Sequence, residues 1–341
     1  MQILENTALL PYNTFGIASS AAYFATFSSI DELEYALDFR NKQVQELPLL
    51  ILGGGSNILF TSNRVNALVL KNELMGIELV HEDADYNYVK ANAGEKWHSL
   101  VEYCIQHNYA GLENLSLIPG SVGASPMQNI GAYGVELKDV FHQLEAYHIH
   151  DKTIVSFGLN DCAFGYRESV FKHSLKGQFV ILNVTYKLSK QPTLNTSYGS
   201  IGAELEKMGI TAPSIQSISQ AVINIRTSKL PNPKVIGNAG SFFKNPQVDI
   251  ALWKQLVAAF PNLVSYPVDE HHYKLAAGWL IEQCGWKGFR KNDAGCHEKQ
   301  ALVLVNYGNA AGNEILELSS NIIASVKHKF GVELEREVNI I

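Results

Sequence analysis

Short apolar runs alternate with amphipathic ones along this chain, and the first third already mixes both. Residues 23–27 predict a strand. Behind them Ser29-Ile30-Asp31-Glu32 reads as a capping box, with Leu33 and Leu37 one turn apart, so a helix is expected from Ser29. Residues 47–52 form a short, fully apolar run stopped by glycine, which suits a buried strand better than a helix. Residues 58–60 and 67–70 predict further strands. From 76 to about 186 short strands, such as 86–91 and 179–188, alternate around a helix near Trp97 and a long glycine-rich segment, 115–134. Residues 191–213 read as an irregular excursion; Ser217 opens a helix to about Thr227, and a domain boundary is expected near there. Helical spacing returns at 253–259, 276–283 and 315–330, the last closing on Lys327, His328, Lys329 and Gly331. The alternating tail, 332–340, is expected to finish as a strand.

Composition narrows the picture. With 341 residues the chain exceeds the ~250 at which a single core stops growing, so more than one domain is expected. Hydrophobic residues at 46% and charged residues at 18% are those of an ordinary globular protein. Lys and Arg number 27 against 33 Asp and Glu, a net charge of -6, so nothing draws the protein to nucleic acid or to an anionic membrane. Any bound anion must be held by local groups.

The cysteines Cys104, Cys162, Cys284 and Cys296 lie far apart without a C-x-x-C pair, which favours a reducing compartment. The start lacks a signal-peptide pattern and no apolar run nears the ~18 residues of a membrane span, so a cytoplasmic protein is expected. A monomer is expected too. His271-His272 and the group Cys284, Cys296 and His297 lack metal-ligand spacing, so no metal site is expected. His148 and His150, one apart on an expected strand, read as surface or edge residues.

Three segments can carry chemistry. Gly53-Gly54-Gly55-Ser56-Asn57 sits between apolar strands, where glycines let backbone N–H groups face an anion with no Cβ in the way. It reads either as a pyrophosphate cradle or as a tight turn. G-x-G-x-x-G fails at Ile58 and no Walker A pattern occurs, so a nicotinamide dehydrogenase fold is disfavoured. The second segment runs from Ile118 to Gly134 and includes Ser121, Gly123, Ala124, Ser125, Gly131 and Tyr133. So long a loop is either functional or a surface Ω-loop, and two separate glycine loops suggest an extended diphosphate ligand such as FAD. The third, Asn238-Ala239-Gly240-Ser241-Phe242-Phe243-Lys244-Asn245-Pro246, places a serine after glycine and before aromatics, a pattern that by itself reads as structural.

Together with Tyr12-Asn13-Thr14-Phe15-Gly16 and Phe164-Gly165-Tyr166-Arg167-Glu168-Ser169, these blocks resemble the UDP-N-acetylenolpyruvoylglucosamine reductase (MurB) family over residues 12–338. The resemblance implies an α+β architecture: a vanillyl-alcohol-oxidase-type, PCMH-like FAD-binding fold of two subdomains (1–74 and 75–225), then an α+β substrate-binding domain (226–331). Residues 332–341 would return as a strand to the active site. It implies FAD as bound cofactor, NADPH as hydride donor and UDP-N-acetylglucosamine enolpyruvate as substrate, in peptidoglycan synthesis. It places Ser241 as proton donor, and Arg167 and Glu337 as donors to the substrate carboxylate. Glu337 could act so only with a protonated carboxyl. The flavin would be held by Gly53, Gly54, Gly55, Ser56, Asn57, Ser121, Gly123, Ala124, Ser125, Gly131 and Arg226. Tyr198, Lys229 and Asn245 would hold the diphosphate and uridine, with Tyr133 near substrate or flavin.

Read without the resemblance, Arg167 could stack or pair with Glu168, and Glu337 shares a solvated face with Glu333 and Glu335. The sequence departs from the family pattern at Arg336, where proline is expected. Two other functions are weighed: an FAD-dependent alcohol or sugar oxidase of the same fold superfamily, and a non-catalytic nucleotide-sugar binding protein.

Overall fold

A computed structural model describes residues 1–43, 47–198 and 200–341. Its chain groups into two compact units, one of residues 1–7, 21–54 and 66–228, the other of residues 8–20, 55–65 and 229–341.

The first unit holds two sheets. Leu4–Ala8, Ser20–Phe27, Arg64–Asn72 and Leu49–Leu52 form one, in that order, the last two paired in parallel. The expected helix runs over Ile30–Asn41, and the Ser29 hydroxyl accepts the Glu32 N–H. The Glu32 carboxylate reaches one residue further back than a capping box requires, to the Ser28 N–H at 2.8 Å. Phe27, Leu33, Leu37, Leu68 and Leu70 bury there with Tyr147, Val180 and Leu182. The second sheet is antiparallel, in the order Thr153–Gly158, Phe141–His148, Phe179–Ser189, Tyr86–Asn92, Ile77–Glu82. Helix Trp97–Gln106 covers one face, burying Trp97, Leu100, Val101 and Cys104 against Val89, Leu144, Val184 and Tyr186.

Residues 191–213 are not irregular throughout. They contain a short helix, Ile201–Lys207, whose Ile201 and Leu205 bury against Ile218, Val222 and Ile225 of helix Ile215–Lys229. The spacing concealed it because it is two turns long, carries Gly202 and has no side-chain cap. A second correction concerns the histidines: the strand ends at His148, and His150 lies exposed in the turn beyond.

In the second unit, strands Gly237–Ser241, Val303–Asn306, Ala294–Cys296 and Arg290–Lys291 form a sheet in that order, with helix Gly312–Phe330 packed on its middle strands. A smaller sheet joins Gln247–Asp249, His272–Leu275 and Ser265–Pro267, beside helices Ile250–Ala259 and Ala277–Gln283. The tail keeps the expected alternation, with Val332, Leu334 and Val338 buried, yet most of it is not a regular strand. Its backbone bonds go to two different places: Lys244 N–H to Glu335 and Glu337 N–H to Phe242, then Asn339–Ile340 in parallel with Ile58–Leu59. A continuous ladder needs one partner, and the tail has two.

Candidate active site

Where strand Leu49–Leu52 runs into Gly53 and Gly54, two backbones meet. A Cβ on Gly54 would lie 2.8 Å from the Cα of Gly120, and one on Gly53 would lie 2.3 Å from the Ser121 hydroxyl. No side chain fits either gap, so the two glycine segments singled out in the sequence lie against each other. Gly123 is bare for the same reason: its Cβ would meet that of Ala93 at 2.6 Å, and its N–H donates to the Ala93 carbonyl. Ala124 donates its N–H to the Ser121 carbonyl in the single turn Val122–Ala124. Ser125 is buried, and its hydroxyl bonds the Val122 carbonyl at 2.6 Å and the Tyr186 hydroxyl at 3.2 Å. That hydroxyl holds the loop together.

The segment ends in a tight hairpin, Gly131–Ala132 against Val135–Glu136, with Tyr133 at φ 51° and Gly134 at φ 80° at its tip. Arg167, itself in the left-handed region at φ 57°, clamps this hairpin by donating to the carbonyls of Asn129 and Gly131. Its guanidinium also stands over the Tyr166 ring, 5.2 Å from the centroid, which agrees with the stacking reading. Glu168 binds His173 at 2.6 Å. The Gly131 Cβ position is 2.9 Å from the guanidinium, so glycine there makes room for Arg167.

Arg226, on helix Ile215–Lys229, sits beside the Tyr133 hydroxyl. Burial pushes the phenol of Tyr133 up, and Arg226 partly offsets the rise; burial pushes Arg226 itself down. The Arg226 Nε is buried and makes no hydrogen bond among the described residues. Such an orphaned donor is rare in a finished fold. Tyr198 is 43% exposed, and its side chain covers Gly134. The neighbouring Gly199 lies outside the described residues.

In the second unit, Gly55 (φ 62°) admits the Tyr12 carbonyl where a Cβ would stand 1.9 Å from it. Ser56 is half-buried, and Asn57 donates its side-chain N–H to the Glu337 carbonyl at 3.2 Å. Glu337 in turn donates its backbone N–H to the carbonyl of Phe242, the residue after Ser241. Ser241, Glu337 and Asn57 are thus brought onto adjacent stretches of backbone although they lie far apart in the chain, Asn57 and Glu337 by 280 residues. Ser241 is exposed, and its hydroxyl makes no hydrogen bond among the described residues. Half-buried Glu337 departs from the exposed face of Glu333 and Glu335. Lys229 is exposed at the end of its helix. The Asn245 side-chain oxygen accepts the Ala277 N–H at 2.9 Å, at the start of helix Ala277–Gln283.

Sequence reasoning missed the residues that hold these parts in place. Asn114, buried, donates both side-chain hydrogens at 3.0 Å, one to the Tyr133 carbonyl and one to that of Asn195 in the Tyr198 segment. Asn13 is buried too and closes its own turn through Leu9 and Ile17. The available signal was an asparagine in an otherwise apolar or glycine-rich context, where a buried amide must find partners.

Two family models match the chain: an FAD binding domain over residues 21–158, and the C-terminal domain of UDP-N-acetylenolpyruvoylglucosamine reductase over 231–341. The paired glycine loops inside the first match mark the protein as an FAD-dependent oxidoreductase. UDP-N-acetylenolpyruvoylglucosamine reductase of Amoebophilus asiaticus is 50% identical over 341 residues, spanning 100% of both chains. That of Pseudomonas syringae pv. syringae is 48% identical over 340 residues, covering 100% of this chain and 99% of its own. The chain belongs to the UDP-N-acetylenolpyruvoylglucosamine reductase family, whose reaction serves peptidoglycan precursor synthesis. The crystal structure of the Thermus caldophilus enzyme, 23% identical, shares the fold with a TM-score of 0.68 over 99% of this chain and 98% of that one.

FAD is accordingly the cofactor, and the residues present fit it. The bare contact of Gly53 and Gly54 with Gly120 and Ser121 is a cradle that a Cβ would fill, as expected where loops close on a diphosphate. The orphaned Arg226 Nε is a buried cationic donor that an electron-rich ring edge would satisfy.

Proposed function

We propose that the protein uses NADPH to reduce UDP-N-acetylglucosamine enolpyruvate to UDP-N-acetylmuramate, with Ser241 as proton donor. The observation carrying this reading is the exposed, uncommitted hydroxyl of Ser241 on backbone that the Phe242–Glu337 bond ties to Glu337. FAD held there would pass hydride taken from NADPH to the enolpyruvyl methylene carbon. Ser241 delivers a proton to the adjacent carbon, so the C=C bond takes up one hydride and one proton. Negative charge developing on the substrate carboxylate needs preorganised donors. The planar fork of Arg167, already oriented by the Asn129 and Gly131 carbonyls, suits a carboxylate as no lysine can. Glu337, held by its backbone, is the second donor when its carboxyl is protonated.

Lys229, Tyr198 and Asn245 bind diphosphate and uridine in this reading, with Tyr133 close by. Residues 1–74 and 75–225 serve the flavin, 226–331 the substrate, and 332–341 carry Glu337's strand to the site. The protein acts as a cytoplasmic monomer; the free thiols of Cys104, Cys162, Cys284 and Cys296 support a reducing compartment.

A visible absorption spectrum tests the whole. The purified protein should be yellow, bleach with NADPH and recover its colour on adding the enolpyruvyl substrate. Ser241→Ala should leave bleaching intact and slow recovery by roughly two or more orders of magnitude, the size of general-acid catalysis. Equal loss in both half-reactions would remove Ser241 from its role. Rapid oxygen consumption with a simple alcohol, without response to the enolpyruvyl compound, would instead indicate an oxidase.

A further inference from the structure

We propose that Thr14 is a positioning residue for Ser241, setting the direction of its hydroxyl through the bulge that carries it. The inference rests on the proton-donor reading and adds a residue to it. Strand Gly237–Ser241 pairs with Val303–Asn306 at Gly237 with Asn306, at Asn238 with Val305 and then at Ser241 with Val303. Three steps on one strand thus match two on the other, which is a bulge, the device that re-aims a side chain at a sheet edge. Gly240, at φ 70°, makes the turn, and its N–H donates to the Asn238 side-chain oxygen at 3.0 Å.

Asn238 is the root of this bulge, and Thr14 holds both of its backbone groups. The Asn238 N–H donates to the Thr14 carbonyl at 3.0 Å, and the Thr14 hydroxyl donates to the Asn238 carbonyl at 2.7 Å. The Thr14 N–H itself donates to the Gly55 carbonyl at 3.0 Å. Bare backbone stands on either side: a Cβ on Gly55 would lie 1.9 Å from the Tyr12 carbonyl oxygen, and one on Gly237 would lie 2.1 Å from the Phe15 carbonyl oxygen. Residues 12–15 therefore form a strap seated between two glycines. Asn306 fastens its far end, donating to the carbonyls of Phe15 and Gly16. The strap's backbone and its glycine seats explain its place in the fold. The hydroxyl is a separate matter: beside a long 3.4 Å contact to the Gly55 carbonyl, its short bond reaches the carbonyl of Asn238, at which the bulge departs from regular pairing. Without that bond the bulge keeps its chain path and loses its fixed angle, and a donor that wanders is poorly placed for its carbon.

The test follows the two half-reactions in Thr14→Val, which keeps the shape and removes the hydroxyl, in Thr14→Ser, and in Thr14→Val combined with Ser241→Ala. Thr14→Val should bleach with NADPH at the wild-type rate and reoxidise with the enolpyruvyl substrate about tenfold more slowly, the scale of one lost buried hydrogen bond. Thr14→Ser should restore the rate. In the Ser241→Ala background Thr14→Val should slow reoxidation no further, since a residue acting through Ser241 has nothing left to position. The inference is overturned if Thr14→Val slows both half-reactions alike, if it multiplies the Ser241→Ala defect, or if it has no effect where Ser241→Ala alone is slow. A wild-type reoxidation rate in Ser241→Ala overturns the proton-donor reading, and this inference with it.

Discussion

The loops around Gly54 and the strap around Thr14 both bring distant backbones together, by opposite means. At Gly54 and Gly120 the contact exists because side chains are missing: backbone touches backbone, and no polar group bridges the gap. In the strap, side chains are added. Asn13, Thr14, Asn238 and Asn306 each offer donors and acceptors to carbonyls and N–H groups, so the contact is built from hydrogen bonds. The first kind excludes every side chain from the gap. The second spends backbone donors and acceptors and fixes an angle. The first should also fail all at once, and the second by degrees, because a steric gap has no partial filling whereas one hydrogen bond among several contributes only about 0.5–1.5 kcal/mol.

The largest effect is therefore expected from Gly54→Ala. A methyl 2.8 Å from the Gly120 Cα must force the loops apart, and the purified protein should lose its flavin absorbance. A variant that stays yellow with an unchanged melting temperature would mean the loops do not touch.

Asn306→Asp probes the strap next. It replaces the donors facing the Phe15 and Gly16 carbonyls with an acceptor, and should cost about 1–3 kcal/mol in a urea titration, the penalty for buried groups left unpaired. A loss as complete as that of Gly54→Ala would erase the distinction between the two regions.

A smaller effect involves Glu113, which is buried and accepts the Gly111 N–H at 2.7 Å in the turn before the second glycine loop. Burial raises its carboxyl above the ordinary value of 4.5, so the folded chain holds this proton more tightly than the unfolded one. Its stabilising contribution is then complete below 4.5 and is lost as pH climbs through the raised value. The wild type should accordingly lose stability relative to Glu113→Gln as pH rises above 4.5, read from paired urea midpoints. Parallel curves for the two proteins would contradict it.

The smallest effect is on thiols. Burial pushes Cys162 and Cys296 up to about 12 and Cys104 higher still, whereas Cys284 is only half-buried. A thiol reagent should label Cys284 first in the native protein and the other three only on unfolding. Early labelling of Cys104 would show that the core under helix Trp97–Gln106 opens readily.

Where a local pattern had one physical solution, the chain could be read directly. The apolar run ahead of Gly53 is a strand as expected, though at the sheet edge only Leu52 of strand Leu49–Leu52 is buried, and the cap at Ser29 marked its helix at the right residue. The short helix Ile201–Lys207 was missed because it is two turns long and has no side-chain cap, and the irregular tail because its conformation follows from partners far along the chain, Phe242 and Ile58. The site shows the same division. Gly53 stood out by its motif and Ser241 and Arg167 only through the family resemblance, whereas Asn114 and Asn306 offered no more than an amide in a less polar context, which does not name its partners.

The order of residues alone indicated the family, and through that resemblance the candidate flavin loops and proton donor, since each lies in a contiguous block. Tertiary structure decided which backbones meet: that Gly54 rests on Gly120, and that Glu337, Phe242 and Asn57 share one chain of hydrogen bonds. A glycine records only that space is needed, and a buried amide only that partners exist. Which segment supplies them depends on long-range closure of the chain, and no local pattern encodes that.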